Sequence, residues 1–397
     1  MTFDIDVAVI GGCGRAGLPL ALAFADRGLR VLVYDIDQGA VDTVGRGEMP
    51  FLEEGAQGVL ERVLAEGRLE ATSSPDDVKR AEHTIVVIGT PVDEHLNPDI
   101  QAVTSAMEAL AGHFTDGQLL VLRSTVYPGV TRRVEELMAR RGLDVDVAFC
   151  PERIAEGKAM AELYELPQIV AARTERALER SEKLFRTLTA EIVRLEPEEA
   201  ELAKLFTNAW RYIRFAAANQ FYMMANDFGL DFERIRTALA HNYPRAADMP
   251  GAGLAAGPCL FKDTAQLAAF NNNNFHLGQA AMSINEGLPL YLVSRIEQRF
   301  DLKDMCVGIL GMAFKRGSDD PRSSLSYKLK RILRFKAREV LCTDPLVRDD
   351  PDLVPLEEVT SRSDLLIVAT PHDEYRGLSA GVPVVDIWGV VADSVRV

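Results

Sequence analysis

A glycine-rich turn near the N-terminus constrains the fold more than any other feature of this sequence. The apolar run 7–10 leads into the hexapeptide GCGRAG at 12–17, and a segment with helical periodicity follows at 18–27. In a G-x-G-x-x-G motif between a strand and a helix, the first glycine permits a tight turn and the second lets the backbone approach a pyrophosphate. The third allows the helix to pack closely. Gly12, Gly14 and Gly17 therefore predict a dinucleotide-binding unit.

A carboxylate at the end of the next apolar run refines this prediction. Asp35 lies eighteen residues after Gly17 and directly follows the run 31–34. A carboxylate at this place suits the 2′-hydroxyl of a ribose and repels a 2′-phosphate, so NAD is favoured over NADP as the cofactor. The alternative is an ordinary turn followed by an unrelated aspartate at a strand end.

Short apolar runs separated by helical segments fill the first half of the chain and predict a parallel, doubly wound sheet. The further runs are 84–88, 119–122 and 145–149. The middle is different, because an uninterrupted helical pattern runs from 198 to 228 and further helix is predicted at 232–240 and 263–299. Asn271 to Asn274 interrupt the last of these and predict a helix end or a short loop.

The last hundred residues repeat the order of the first hundred. The runs 307–311, 340–344 and 365–371 correspond to 7–11, 31–35 and 85–91. We therefore predict an α/β fold in which two Rossmann-like doubly wound parallel sheets are joined by a central helical domain with one long helix. The predicted domains are an NAD-binding domain at 1–196, a helical domain at 197–300 and a second Rossmann-like, nucleotide-sugar-binding domain at 301–397.

Composition and charge exclude several classes of protein. At 397 residues the chain is too long for one ordinary core. The net charge of −15 disfavours nucleic acid and anionic membrane as partners. No apolar segment has the length of a membrane span, and the N-terminus lacks the basic region of a signal peptide, so a cytoplasmic location is expected. Five scattered cysteines without a C-x-x-C pair argue against disulfides and a metal site.

One cysteine differs from the others in its surroundings. Cys259 follows a Gly/Pro-rich loop and precedes Lys262 and Asp263. A thiol can hold an aldehyde as a covalent adduct, and a nicotinamide cofactor removes hydride, so together they predict oxidation of an alcohol through the aldehyde to an acid. The other four cysteines lie in or beside predicted strands and turns and are expected to be inert: Cys13, Cys150, Cys306 and Cys342.

The order of these motifs resembles that of the UDP-glucose/GDP-mannose dehydrogenase family along nearly the whole chain. The matching segments are 12–19, 89–91, 123–126, 150–157, 201–209, 259–263 and 311–315, with 320–324 just after. Members of that family oxidise the C6 alcohol of a nucleotide sugar to the uronic acid and use two NAD⁺ per turnover. The resemblance implies a nucleotide-sugar substrate, and UDP-glucose fits best.

By resemblance, Cys259 is the nucleophile that forms a thiohemiacetal and then a thioester. Asp263, one helical turn later, would position or deprotonate water, unless it is only a solvated carboxylate in the first turn of a helix. Lys204 and Asn208 share one face of the long helix and would stabilise an alkoxide or a tetrahedral oxyanion. The alternative for Lys204 is an exposed ion pair with Glu201. Lys262 is expected to be only a surface charge or an outer charge of the site.

The same resemblance assigns residues around the cofactor and the thioester. Glu152 would work near the thioester, as a base or through an ordered water, and Glu156 would lie nearer the cofactor. Thr125 would donate its hydroxyl to that water or to the nicotinamide side, although a threonine after a strand is more often structural. Thr90 is expected to contact the cofactor.

Cations are needed to bind the diphosphate of such a substrate. By resemblance, Lys315 contacts the sugar or the phosphates and Arg322 reaches the cofactor. Arg245 resembles an arginine that family members supply from a neighbouring subunit. That interpretation implies a homodimer or higher homo-oligomer, with the long helix at its interface.

The identity of the sugar is open at this point. Residues 256–258 read AGP where the family commonly has GGS, and residues 386–389 read DIWG where UDP-glucose enzymes often carry DGRR. Lys262 and Asp263 favour UDP-glucose, and a UDP-N-acetylhexosamine or GDP-mannose is the alternative. A dehydrogenase with a histidine base is disfavoured, because no histidine lies in an acid–base context. An NAD-binding sensor without activity is the non-enzymatic alternative.

Overall fold

The structure is a computed structural model that describes residues 3–90, 99, 101–391 and 394–395. The chain divides into two compact units, Met1–Phe206 and Thr207–Val397. Pro91, part of the 89–91 motif, lies outside the described residues. Within the described ranges, no helix combines the length and the apolar character needed to cross a membrane.

The first unit is built on one eight-stranded sheet with the order β3-β2-β1-β4-β5-β6-β7-β8. Its strands are β1 Ile5–Ile10, β2 Val31–Tyr34, β3 Leu69–Thr72, β4 Ala81–Val86, β5 Leu119–Leu122, β6 Asp146–Phe149, β7 Gln168–Ala172 and β8 Ile192–Leu195. Neighbouring strands are parallel, except that β7 runs antiparallel to β6. The first six strands have the Rossmann order, as predicted.

Helices cover both faces of this sheet. They are α1 Gly17–Asp26, α2 Gln38–Gly45, α3 Ala56–Ala65, α4 Ala102–Leu110, α5 Val130–Arg140, α6 Ala159–Glu165 and α7 Glu175–Phe185. Because successive strand residues point to opposite faces, Val121 packs on one face with Phe24 of α1 and Phe185 of α7. Leu122 packs on the other face, with Met107 of α4. The resulting core holds the strand ends, where ligands bind in such folds, in fixed positions.

The long helix α8, Pro197–Asp227, is anchored by a buried carboxylate. Glu201 is 1% exposed and accepts hydrogen bonds from the backbone N–H of Gly129 at 2.6 Å and of Thr131 at 2.8 Å. The Thr131 hydroxyl donates a third bond at 2.6 Å. Glu201 therefore binds the start of α5, where a carboxylate is favoured, and is not part of an exposed ion pair with Lys204.

Three more helices follow in the second unit: α9 Phe232–Ala240, α10 Leu260–Phe270 and α11 His276–Glu297. The helix predicted at 263–299 is thus two helices. Asn272 and Asn273 adopt left-handed backbone conformations, with φ of 52° and 58°, which asparagine tolerates better than most residues. The asparagine run is a break between helices, as its sequence predicts.

The second unit ends in a four-stranded parallel sheet with the order β10-β9-β11-β12. Its strands are β9 Cys306–Leu310, β10 Glu339–Thr343, β11 Leu365–Val368 and β12 Val384–Asp386, with helices α12 Leu325–Arg334 and α13 Leu356–Arg362. Gly311 follows β9 with φ of 94°, as Gly11 follows β1 with φ of 73°. The predicted fold class, two Rossmann-like sheets with helices between them in the chain, is confirmed.

A strand-end aspartate in the second sheet is a structural counterpart of Asp35. Asp344 accepts backbone N–H bonds from Met312 at 2.6 Å and Ala313 at 2.9 Å, and its other oxygen accepts from Leu346 and Val347. Burial alone would raise the pKa of Asp344, but the hydrogen bond and charge of buried His372, 3.2 Å away, bring the pKa down to about 2. This carboxylate holds two loops together.

We expect Asp344→Asn to lower the free energy of unfolding by about 2 to 4 kcal/mol at neutral pH, because buried donors lose a charged acceptor. The folded-state pKa lies below the ordinary 3.8, so the contribution of Asp344 is complete above pH 4. It is lost as the pH falls toward 2, and this pH-dependent part of the effect is about 2 kcal/mol. Urea unfolding of both proteins at pH 6, 4 and 2.5 checks this, and a constant difference would contradict it.

Candidate active site

The glycine-rich loop after β1 has the shape that a dinucleotide requires. A Cβ at Gly17 would lie 2.3 Å from the Gly11 oxygen, and one at Gly12 would lie 2.6 Å from the Val9 oxygen, so both positions are closed to side chains. At Gly14 the nearest atom would be 3.4 Å away, an ordinary contact. The tight turn itself is made by Gly11, whose φ is positive, and not by Gly12 as the motif suggests.

Asp35 lies beside this loop, at the end of β2. One carboxylate oxygen accepts the backbone N–H of Cys13 at 3.1 Å, and the other accepts that of Asp37 at 3.2 Å. Asp35 is half-buried as a residue, whereas the side chain of Asp344 is fully buried. Burial, together with the charges of Asp35 and Asp37, raises the pKa of the Cys13 thiol to about 12. Cys13 is therefore a protonated, unreactive thiol at neutral pH.

An ion pair brings a second predicted cofactor residue to the loop. The Arg15 guanidinium lies 3.1 Å from Glu156 and stacks over the Phe51 ring, 5.1 Å from its centroid. Glu156 therefore reaches the glycine loop through Arg15, which the sequence analysis did not identify. Thr90 and Thr125 are half-buried and follow β4 and β5, at the carboxyl edge of the sheet. These residues fit an NAD molecule, since the space beside the Gly14 Cα lets a phosphate approach the backbone closely.

Glu152 is fixed by several hydrogen bonds at the same edge of the sheet. One oxygen accepts the Arg123 side chain at 2.7 Å, and the other accepts the backbone N–H groups of Arg153 at 2.7 Å and Ile154 at 3.0 Å. Arg123 is fully buried. It belongs to one of the matching segments, but the sequence pattern gave no reason to select it.

Cys259 is the exposed cysteine of the chain and occupies the N-cap position of α10. Exposure at the start of a helix leaves this side chain accessible to a substrate, as a nucleophile must be. The other four cysteines are buried. Burial raises the pKa of Cys150 to about 12 and that of Cys342 to about 11, and it also raises the pKa of Cys306.

Asp263, one turn along α10, is fully buried and is not the solvated carboxylate of the alternative interpretation. It accepts a hydrogen bond from the Asn208 amide at 2.5 Å and forms an ion pair with Lys262 at 2.9 Å. The Lys262 side chain is only 14% exposed, so it is not a surface charge, and its ion pair agrees with the other expectation, an outer charge of the site. Lys204 is half-buried and lies one turn before Asn208 on α8.

The loop before Cys259 is held by residues that the sequence analysis missed. Asn219 of α8 is buried and pairs with the backbone of Gly253 through two hydrogen bonds, at 2.9 and 3.0 Å. The Trp388 ring lies on Gly253, where a Cβ would come within 2.0 Å of it, and the Phe314 ring lies on Gly257 in the same way, at 2.6 Å. Gly253 and Gly257 are the sequence features that could have indicated these contacts, because a side chain at either position would collide with the ring.

The three predicted basic residues have different surroundings. Lys315 lies over the Phe314 ring, with its Nζ 5.6 Å from the centroid, and so is near Gly257. Arg322 makes a bidentate pair with buried Asp320, at 2.9 and 2.7 Å, and its side chain is 60% exposed. Arg245 is exposed and donates to the Tyr243 hydroxyl at 3.2 Å.

A loop shaped for a dinucleotide, in a chain with an exposed thiol at a helix start, defines an NAD-dependent oxidoreductase. Comparison with known proteins agrees. Residues 5–189 match the NAD binding domain of the UDP-glucose/GDP-mannose dehydrogenase family, 198–287 its central domain and 308–393 its UDP binding domain. The chain belongs to this family of nucleotide-sugar dehydrogenases.

Individual relatives are similar along the whole chain. The UDP-N-acetyl-D-mannosamine dehydrogenase of Pyrococcus horikoshii is 32% identical over 98% of this chain and 93% of its own length. The UDP-glucose 6-dehydrogenase of Haloferax volcanii is 30% identical over 94% of this chain and 93% of its own. A solved UDP-glucose dehydrogenase structure from Pyrobaculum islandicum has a TM-score of 0.90 at 28% identity, covering 97% of this chain and 94% of that one.

Two alanine substitutions in the glycine loop should separate folding from cofactor binding. We expect Gly14→Ala to leave the melting temperature nearly unchanged and to weaken NAD binding more than tenfold, because the methyl group occupies space that a phosphate needs. Gly17→Ala should lower the melting temperature, because its Cβ would collide with the Gly11 oxygen. Thermal unfolding and NADH fluorescence titration measure both. Unchanged NADH affinity in Gly14→Ala would contradict the assignment of the loop.

Proposed function

We propose that this protein oxidises the C6 alcohol of a UDP-sugar to the uronic acid through a covalent intermediate on Cys259. The observation that carries the proposal is the exposed thiol at the start of α10, in a chain whose other cysteines are buried. Bound NAD⁺ supplies the chemistry of each oxidation by accepting a hydride. The thiol holds the aldehyde as a covalent adduct, so that a second oxidation can take it to the acid.

Cys259 acts between the two oxidations. Its thiolate adds to the C6 aldehyde, so that a C–S bond forms and the carbonyl oxygen becomes an alkoxide. Loss of a second hydride converts this thiohemiacetal into a thioester. Water then adds to the thioester carbon, the C–S bond breaks, and the carboxylate product leaves with the thiolate restored. Two hydrides and one water are used for each sugar.

Lys204 and Asn208 stabilise the oxygen that becomes negative in these steps. A cation and an amide on one helix face are suitable donors for an alkoxide or an oxyanion. We assign Asp263 a positioning role, because its buried carboxylate binds both the Asn208 amide and Lys262. Replacement of either partner would leave a buried charge less well compensated.

The remaining assignments rest on the resemblance and stand as part of the proposal. The proposed contacts to cofactor and substrate are Thr90, Thr125, Glu152, Glu156, Arg245, Lys315 and Arg322. We also propose that the NAD-binding, helical and sugar-binding domains occupy 1–196, 197–300 and 301–397, and that the protein works in the cytoplasm.

For the sugar, we propose UDP-N-acetyl-D-mannosamine first and UDP-glucose second. The match of 308–393 to a UDP binding domain supports UDP as the nucleotide. The relative with 32% identity, which acts on the N-acetylated sugar, supports the first candidate. Lys262 favours UDP-glucose in the sequence comparison, but its ion pair with Asp263 gives this lysine a structural reason that is independent of the sugar.

The test is NADH release with a panel of UDP-N-acetylmannosamine, UDP-N-acetylglucosamine, UDP-glucose and GDP-mannose. We expect two NADH for each sugar consumed, with the highest kcat/KM for UDP-N-acetylmannosamine. A ratio of one would refute the covalent route. Preference for UDP-glucose would reverse the order of the two candidates and leave the chemistry in place.

Cys259→Ser isolates the covalent step. We expect turnover to fall by roughly 10²-fold or more, because a serine hydroxyl is a weak nucleophile at neutral pH. Cys306→Ser, at a buried cysteine, is the matched control and should retain two NADH per sugar. Full uronate formation by Cys259→Ser would exclude the role of the thiol.

We further propose that the protein is a homodimer formed through α8. Large apolar side chains are exposed on this helix at Phe206, Trp210, Phe221 and Met224, with 46–59% of each exposed. At 100° per residue all four fall within about 60° of arc, which makes one continuous stripe. A stripe of this kind suits a second copy of the same helix, since a two-fold interface pairs one patch with itself.

Charge placed in the stripe should separate the subunits. We expect Trp210→Glu with Phe221→Glu to give a monomer in sedimentation velocity, because two buried charges oppose the contact. Phe335→Glu is the control, since Phe335 is 92% exposed and lies after α12, away from the stripe. A dimer that persists in the double variant would place the interface elsewhere.

A further inference from the structure

Arg123 is buried at the carboxyl end of β5, and each of its three nitrogens has a separate partner. Nε donates to Glu152 at 2.7 Å, Nη1 to the Cys150 carbonyl at 3.1 Å and Nη2 to the Gln168 side chain at 3.1 Å. Its guanidinium also stacks on the Phe185 ring, 5.0 Å from the centroid. The group is thus held in one orientation by contacts to the segment that follows β6, to β7 and to α7.

This arrangement fixes the Glu152 carboxylate as well. One of its oxygens is bound by Arg123, and the other accepts two backbone N–H groups. Rotation of the carboxylate would break bonds at both oxygens. The Glu152 side chain is nevertheless 12% exposed, so one edge of a rigid carboxylate remains accessible.

We propose that Arg123 is the positioning residue for Glu152 in hydrolysis of the thioester, an inference that rests on the proposed function. In that step the water oxygen bonds to C6, the C6–S bond breaks and the thiolate returns to Cys259. The water gives up its proton to the Glu152 carboxylate and from there to solvent. Misplacement of an acceptor by a fraction of an ångström slows such a step, because the reacting atoms must be aligned.

The proposal separates hydrolysis from the earlier steps. Arg123 bonds to the segment after β6 and to β7 and stacks on α7, none of which belongs to the glycine loop, so sugar affinity and the two hydride transfers should not depend on it. Lysine keeps the charge but lacks the planar fork that reaches three partners at fixed angles. Arg123→Lys therefore changes the geometry of Glu152 without changing the net charge.

The experiment follows one turnover of the full-length protein with NAD⁺ and the best UDP-sugar of the panel. Rapid acid quench and intact-protein mass spectrometry measure the thioester, and stopped-flow absorbance measures NADH. The variants are Arg123→Lys, Glu152→Gln and the double variant. Arg180→Lys is the control, because Arg180 pairs with buried Asp146 at 2.9 Å, at the other end of β6.

We expect Arg123→Lys to lower kcat by roughly 10- to 100-fold, with the NADH burst and kcat/KM within twofold of wild type and thioester accumulating. The double variant should be no slower than Glu152→Gln, and Arg180→Lys should hydrolyse at the wild-type rate. Losses that multiply in the double variant, or thioester that never accumulates in Arg123→Lys, would overturn the inference.

Two further measurements keep the outcome clear. If Arg123→Lys fails to fold, Gln168→Leu replaces it, because this change frees one side of the guanidinium; a several-fold slower hydrolysis supports the inference and an unchanged rate overturns it. If the wild-type protein forms no thioester, the proposed function itself has failed. In that case Arg123 has no hydrolysis step to serve.

Discussion

The start of α10, where Cys259 lies, depends on one buried carboxylate. Asp263 lies in the first turn of α10 and joins that helix to α8 through Asn208. A carboxylate with no solvent contact is stable only when it is paired, and Lys262 supplies the opposite charge from the same turn. The position of Cys259 at the helix start is therefore set by interactions below it, while its thiol remains in contact with solvent.

The two Rossmann-like sheets show how one repeated element acquires two uses. Each has a glycine with positive φ after its first strand and an aspartate after its second. In the second sheet, both carboxylate oxygens of Asp344 accept backbone N–H groups, and the buried His372 ring lies 3.2 Å from one of them. In the first, Asp35 accepts one backbone N–H on each oxygen and is half-buried as a residue. The two aspartates differ in the side chains around them, although both follow the second strand of a sheet whose first strand is followed by a glycine with positive φ.

Sequence patterns predicted the parts of this protein that depend on local order. The long helix and the glycine loop follow from periodicity and spacing, and both are present. The edge strands β3 and β8 were missed, because each has only four residues, is only partly buried and alternates weakly. Arg123 and Asn219 were missed for another reason. The hydrogen-bond partners of Arg123 lie 27 to 45 residues away in the sequence, and Gly253 lies 34 residues from Asn219, so no local sequence pattern indicates these pairs.

Because the Trp388 ring packs on Gly253, its fluorescence reports on the loop before Cys259. The chain has two tryptophans, and their surroundings differ. Trp210 is 59% exposed on α8, whereas the indole of Trp388 covers the loop that leads to Cys259 and donates to the Ala369 carbonyl at 3.2 Å. Emission from a protein that lacks Trp210 thus reports the ordering of that loop, free of any signal from the helix surface.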